Sequence, residues 1–72
     1  MEQKVLALFE NVLSRKVGFN DELIESDILD SITAVDVVLE VQAEFGCAIA
    51  PTDVATVLKT PATLAAWLEE NA

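Results

Sequence analysis

Apolar residues recur at helical spacing along this chain, and no segment alternates apolar and polar residues with period two for long enough to form a strand. The first helical pattern runs from about Glu2 to Lys16 and should stop near Gly18. Its apolar residues are Val5, Leu6, Phe9, Val12 and Leu13. The chain is therefore predicted to be all-α.

A long loop and a second helix should follow. Residues 17–30 show no sustained period and are rich in acidic residues, which predicts a loop. Five apolar residues should pin this loop to the core: Phe19, Leu23, Ile24, Ile28 and Leu29. The second helix should begin at Asp30 or Ser31 and end at Phe45, because Gly46 suits the left-handed position that closes many helices.

Two further elements complete the expected fold. A short helix is predicted within residues 52–58, whose first two residues can cap its start. Thr60 can cap a last helix that has Pro61 in its first position and runs to about Asn71. The prediction is a small bundle of three main helices plus one short helix, with the long loop between the first two helices.

Composition excludes several classes of function. The 72 residues should form a single domain, residues 1–72, and the lone Cys47 excludes a disulfide scaffold. Without histidine, a zinc site has almost no ligands and a serine nucleophile has no histidine base. We therefore expect neither a metal site nor an enzyme. Without a signal peptide or an apolar run of about 20 residues, we expect a cytoplasmic protein that does not insert into membranes. We also expect it to be a monomer.

The net charge of −9 comes from thirteen acidic and four basic residues, and the middle of the chain carries all of it. Residues 17–58 contain nine acidic residues and neither lysine nor arginine, whereas the two ends contribute +1 and −1. Such a field repels nucleic acids and anionic membranes. Basic proteins are the expected partners.

The predicted second helix has two apolar stripes, where a surface helix needs one. The expected core face consists of Ala34, Val38, Val41 and Phe45. A neighbouring face carries Ile32, Val35 and Leu39. This second stripe is either buried in a wide core or exposed as a strip that meets a partner.

Asp36, Glu40 and Glu44 stand four residues apart on the same helix, with no basic residue within reach along it. Like charges at this spacing repel each other, and Glu44 also lies at the negative end of the helix dipole. A helix selected only for stability would carry lysine or arginine at one of these positions. The acidic residues beside an apolar stripe therefore predict a recognition surface for a basic protein.

Asp30 and Ser31 stand at the front of this helix, where both residue types are favoured caps. A second reading is a modification site, because a phosphate ester on Ser31 would meet free backbone N–H groups and the positive end of the helix dipole. No base is present to activate Ser31. Any chemistry at Ser31 should therefore be its modification by another enzyme.

The stretch from Ile28 to Ile32, ILDSI, together with the apolar and acidic pattern that runs on to Gly46, resembles the signature of acyl and peptidyl carrier proteins. The core of that signature is Asp-Ser-Leu, or a close variant, at the start of the second helix. The resemblance covers nearly the whole chain, including its length, its acidity, the long loop, the short third helix and the Thr-Pro pair that opens the last helix.

The resemblance implies that Ser31 carries 4′-phosphopantetheine, placed there from coenzyme A by a phosphopantetheinyl transferase that recognises Asp30. The arm would hold acyl groups as thioesters and shuttle them between enzymes of fatty acid, polyketide, nonribosomal peptide or related biosynthesis. Acyl-activating ligases or synthases with basic, apolar-lipped docking patches would be the partners. The implied partner-binding residues are Ile32, Val35, Asp36, Leu39, Glu40 and Glu44.

The chain also departs from the carriers of fatty acid synthesis. Thr33, Gln42 and Ala43 stand where those carriers have acidic residues, and Asp27 stands where many carriers have glycine. Residues 35–40 are similar to stand-alone carriers that a dedicated ligase loads, including D-alanyl carriers. The cargo is thus open between an acyl group and a D-alanyl or other aminoacyl group. An acidic helical adaptor that binds a basic protein without modification is the alternative of another class.

Overall fold

The computed structural model describes residues 1–71, which fold into helices joined by loops and contain no strand. The helices are α1 (Glu2–Leu13), α2 (Ser31–Phe45), α3 (Val54–Val57) and α4 (Pro61–Asn71). This confirms the all-α fold of three main helices and one short helix, with the long loop between α1 and α2.

One apolar core holds the helices and loops together. Helix α1 packs against both α2 and α4, and α3 packs against α4. The buried hydrophobic residues are Val5, Leu8, Phe9, Leu23, Leu29, Ala34, Val37, Val41, Ile49, Val57, Leu58, Leu64, Ala65 and Leu68. No polar or charged side chain of residues 1–71 is buried with them. Every polar group that this part of the chain can offer for chemistry therefore lies at or near the surface.

Helix α1 ends earlier than the sequence pattern predicted. The helix stops at Leu13, and Ser14 takes the left-handed conformation with φ 56° and ψ 33°. The predicted continuation to Lys16, with a stop near Gly18, was therefore wrong. Residues 14–16 are all exposed, so a further helical turn would bury no apolar side chain to offset the ordering of the backbone.

The long loop is tied to the connection between α3 and α4. The Leu23 N–H donates to the Lys59 carbonyl at 2.9 Å, and the Ala62 N–H donates to the Phe19 carbonyl at 2.9 Å. All five apolar residues that were expected to pin the loop are buried or packed against the core: Phe19, Leu23, Ile24, Ile28 and Leu29. That prediction is confirmed, and the segment leading into α2 is held in place by backbone bonds and apolar contacts together.

The starts of α3 and α4 are stabilised differently. At α4 the Thr63 N–H donates to Thr60 Oγ1 at 3.1 Å, and the Thr60 N–H donates to Thr63 Oγ1 at 3.0 Å. Thr60 thus caps a helix that begins at Pro61, as predicted. Asp53 precedes α3, but its side chain makes no capping hydrogen bond. Burial of Val57 anchors this short helix instead.

Asp27 has a left-handed backbone, with φ 57°. Glycine adopts this conformation without steric cost, whereas aspartate adopts it only because its short polar side chain tolerates it. Asp27 is also the position at which many carriers have glycine. The turn before α2 therefore keeps a backbone geometry suited to glycine without having one.

Replacing Asp27 by glycine should raise the free energy of unfolding by about 0.5–1 kcal/mol, because relief of the left-handed strain exceeds the entropy that glycine adds to the unfolded chain. Urea denaturation of the wild type and the variant measures this difference. Asp27→Asn is the matched control, since asparagine tolerates the same backbone but lacks the charge. If Asp27→Asn raised the free energy of unfolding by the same amount, the gain would come from removal of the charge, and the backbone explanation would be wrong.

Candidate functional site at the start of helix α2

Ser31 is the first residue of α2, and the preceding Asp30 is its N-cap. Asp30 Oδ1 accepts hydrogen bonds from the Ile32 N–H at 2.9 Å and from the Thr33 N–H at 2.8 Å. Thr33 Oγ1 in turn accepts from the Asp30 N–H at 2.8 Å, which completes a capping box. The cap thus belongs to Asp30, and the exposed Ser31 hydroxyl takes no part in it.

This cap leaves a phosphate ester on Ser31 fewer free N–H groups than the sequence suggested. The N–H groups of Ile32 and Thr33 already donate to the Asp30 carboxylate. The positive end of the helix dipole still favours a phosphate at Ser31, but the neighbouring negative charge of Asp30 offsets part of that attraction. This helix end is therefore a weaker phosphate site than the sequence suggested.

Hydrogen bonds lower the pKa of the Asp30 carboxyl below its ordinary value of 3.8. The Thr33 backbone N–H has the largest effect on this pKa, and the Thr33 hydroxyl has the next largest. A lowered pKa means that the folded state favours the charged form. The cap therefore stabilises the fold at all pH values above 3.8, and its contribution is lost as the pH falls through the pKa of the folded state.

The stripe formed by Ile32, Val35 and Leu39 is exposed, with 73%, 56% and 58% of each residue accessible to solvent. We refer to these three residues as the apolar strip. The strip begins next to Ser31 and runs along one face of α2. Of the two alternatives raised by the sequence, burial in a wide core is wrong and the exposed strip is confirmed.

The core face of α2 differs from the predicted one. Val37 is fully buried at 0% exposure, together with Ala34 and Val41, whereas Val38 and Phe45 are only partly buried. The sequence prediction missed Val37, although its spacing of three from Ala34 and four from Val41 is a helical signal. Because Val37 points into the core, Val38 lies at the edge of the core and the apolar strip faces solvent.

The acidic residues of α2 are distributed along the helix. Asp36 and Glu44 are exposed, and Glu40 is partly buried. Asp36 and Glu40 lie on the same stretch of α2 as the apolar strip. Glu44 lies about 20 Å along the axis from Ser31, given 1.5 Å per residue, and lines a hollow with α1. The structure thus places Asp36 and Glu40 beside the strip and sets Glu44 apart from Ser31.

Ser31 borders two hollows of different chemistry. The first, which we call the apolar groove, has a volume of about 350 Å³. Its other lining residues are Ala34, Val35, Val38, Leu39, Ile49, Pro51 and Val54. The second, which we call the mixed hollow, has a volume of about 400 Å³ and includes Asp27 and Asp30. The sequence prediction missed both hollows, because Ile49 and Pro51 come from an irregular segment that meets α2 only in the folded chain.

Replacing Asp30 by alanine should lower the melting temperature at pH 7 by roughly 4–8 °C, the usual effect of losing a helix cap in a domain of this size. Ser31→Ala is the matched control and should melt within about 1 °C of the wild type, because alanine is well suited to a helix. Circular dichroism melts between pH 7 and pH 3 measure both effects.

The difference between wild type and Asp30→Ala should shrink below pH 3.8, as the wild-type carboxyl becomes protonated and the cap is lost. A difference that stays constant down to pH 3 would show that the carboxylate charge does not stabilise the helix.

Comparison with known proteins identifies the family of this chain. A family model described as a phosphopantetheine attachment site matches residues 3–68. A search of curated proteins finds no significant match. Among residues 1–71, none of the helices combines the length and the apolar character needed to cross a bilayer; the expected cytoplasmic location stays a prediction. The chain belongs to the phosphopantetheine-binding family of carrier proteins, whose members carry a covalently attached 4′-phosphopantetheine.

Proposed function

We propose that this chain is an acyl carrier protein, in which Ser31 holds the 4′-phosphopantetheine and the protein shuttles acyl groups between biosynthetic enzymes. One observation carries the proposal. The Ser31 hydroxyl is exposed at the first residue of α2 and is not used by the cap, within a chain that matches the phosphopantetheine attachment family over residues 3–68.

The residues around Ser31 fit the prosthetic group. The hydroxyl is accessible, and the apolar groove and the mixed hollow both open beside it. When attached, the group supplies a flexible arm whose terminal thiol holds acyl groups as thioesters. The chain contributes the attachment point and the surfaces on either side, and catalysis belongs to its partner enzymes.

Attachment requires an external enzyme, because this chain has no suitable base next to Ser31. The adjacent carboxylate of Asp30 accepts three hydrogen bonds at Oδ1 and has a lowered pKa, so it is a poor proton acceptor. Its other oxygen, Oδ2, accepts no hydrogen bond within residues 1–71 and is free to contact a transferase. We therefore assign Asp30 to recognition by the phosphopantetheinyl transferase.

The docking surface that we propose combines the apolar strip with Asp36 and Glu40. The strip offers apolar area for burial in a partner, and the acids steer a basic patch towards it. Ligases or synthases with basic, apolar-lipped docking sites match this surface. Glu44, at the far end of α2, extends the acidic field and does not contact the region around Ser31.

Incubation with coenzyme A and a promiscuous phosphopantetheinyl transferase should add one phosphopantetheine to the wild type and none to Ser31→Ala. Intact-protein mass spectrometry measures the addition. Ser14→Ala and Ser26→Ala are matched controls, since both serines are exposed in loops, and each variant should be modified like the wild type. Modification of the Ser31→Ala variant would show that phosphopantetheine is attached to another residue. An unmodified wild type would favour the acidic adaptor.

The double variant Asp36→Lys/Glu40→Lys should melt roughly 1–4 °C higher than the wild type, because the repulsion between residues 40 and 44 becomes attraction, while residues 36 and 40 still carry like charges. Its loading by a cognate ligase or synthase should slow roughly tenfold at low salt, because electrostatic steering is lost. Thermal melts and initial loading rates are measured on the same samples.

Glu69→Lys/Glu70→Lys is the matched control, with the same charge change on exposed residues of α4. This control should be loaded at the wild-type rate. If both double variants were loaded equally slowly, the loading rate would depend on the net charge of the chain and not on the acidic residues of α2.

A further inference from the structure

The capping boxes of α2 and α4 use the hydroxyl of their third helical residue in different ways. In α2, the Thr33 hydroxyl accepts from the Asp30 N–H at 2.8 Å. In α4, the Thr63 hydroxyl accepts from the Thr60 N–H at 3.0 Å, and its proton has two backbone acceptors, the carbonyls of Val57 and Thr60, each at 2.7 Å. The nearest acceptor for the Thr33 proton is instead a side-chain oxygen, Asp30 Oδ1, at 3.0 Å. The Thr33 hydroxyl therefore acts on the carboxylate of the cap itself.

The two oxygens of the Asp30 carboxylate have different surroundings. Oδ1 accepts from the N–H groups of Ile32 and Thr33 and from the Thr33 hydroxyl. Oδ2 accepts no hydrogen bond from residues 1–71, and Asp30 is exposed. A helix cap needs only one acceptor oxygen, which the Thr60 hydroxyl supplies at α4. The second oxygen of Asp30 is therefore not needed by the cap and is available to a partner.

The contacts with Thr33 restrict the orientation of this carboxylate. A turn of the carboxylate about its Cβ–Cγ bond would stretch all three hydrogen bonds to Oδ1. Such bonds are stronger than those between neutral groups, because the acceptor is charged. The Thr33 hydroxyl also holds the Asp30 N–H, so the backbone that carries the carboxylate is fixed as well. The direction of Oδ2 follows from these contacts.

We infer that Thr33 is a positioning residue for the attachment of phosphopantetheine to Ser31, because its hydroxyl holds the Asp30 carboxylate with Oδ2 open to the transferase. This inference rests on the proposed function and adds to it a residue that acts on the transferase through Asp30. An ionised acid at position 33 would have no proton to donate to Oδ1. Threonine therefore supplies a contact that the acidic residue of other carriers would not.

The test measures the kinetics of a promiscuous phosphopantetheinyl transferase while the concentration of the unmodified carrier is varied at saturating coenzyme A. Thr33→Val removes the hydroxyl and keeps the shape of the side chain. The KM for the carrier should rise about threefold to tenfold while kcat stays within about twofold, because a hydrogen bond that orients a binding group is lost. Thr33→Ser keeps the hydroxyl and should have the wild-type KM.

Thr63→Val is the matched control, because it removes the equivalent hydroxyl from the capping box of α4. It should lower the melting temperature and leave the KM for the carrier unchanged. In the Asp30→Ala background, Thr33→Val should cause no further rise in KM, since Thr33 acts through Asp30. If Thr33→Val does not fold, Thr33→Ala makes the same comparison with a better helix former.

A second readout does not depend on the transferase. The pKa of the Asp30 carboxyl, followed by the NMR shift of its carboxyl carbon, should rise in Thr33→Val, because a hydrogen bond to the charged form is lost. Thr33→Ser should keep the wild-type pKa. An unchanged pKa in Thr33→Val would show that the hydroxyl does not hold the carboxylate, and the inference would be wrong.

Three kinetic outcomes would also overturn the inference and leave the proposed function in place. The first is a wild-type KM for Thr33→Val, and the second is an equal rise in KM for Thr63→Val. The third is a further rise in KM when Thr33→Val is added to Asp30→Ala. If the wild type accepts no phosphopantetheine, the proposed function itself is wrong, and the inference fails with it.

Discussion

The Asp30 carboxylate fixes where α2 begins, and the position of Ser31 as an exposed first helical residue follows from that boundary. Because Asp30 bonds the N–H groups of Ile32 and Thr33, Ser31 becomes the first helical residue and its hydroxyl stays free. Packing against α1 then turns Val37 into the core, and the helical period leaves the apolar strip in solvent. The backbone bonds of the preceding loop hold the same boundary from the other side.

The sequence was most informative where structure depends on local chemistry. Gly46 and the Thr60-Pro61 pair end or begin helices through their own backbone preferences, and both boundaries were predicted. The sequence also placed Ser31 at the start of this helix, where it is exposed. The end of α1 at Leu13 and the rotation of α2 that buries Val37 depend on packing between helices. The apolar groove needs Ile49 and Val54 to meet α2, which no periodicity encodes.

Two of the departures from the carrier pattern, Asp27 and Thr33, have a defined role in the backbone geometry near Ser31. Asp27 takes the left-handed backbone that suits glycine, and it places a carboxylate at the edge of the mixed hollow. Thr33 replaces an acidic residue, and its hydroxyl completes the capping box by accepting from the Asp30 N–H. Both side chains lie close to Ser31, Asp27 at the edge of the mixed hollow and Thr33 in the capping box.

The exchange at Thr33 also gives α2 a direction. The first turn of α2 contains no acidic residue, so the negative side chains begin at Asp36 and continue to Glu44. Their charge adds to the negative end of the helix dipole, which lies at the same end. The Asp30 carboxylate offsets the positive end of the dipole, so the side-chain charge of α2 and its cap is negative at both ends and reinforces the dipole only towards Glu44. On the docking surface proposed above, the cations of a basic partner would lie over Asp36 and Glu40, and its apolar area would cover the strip beside them.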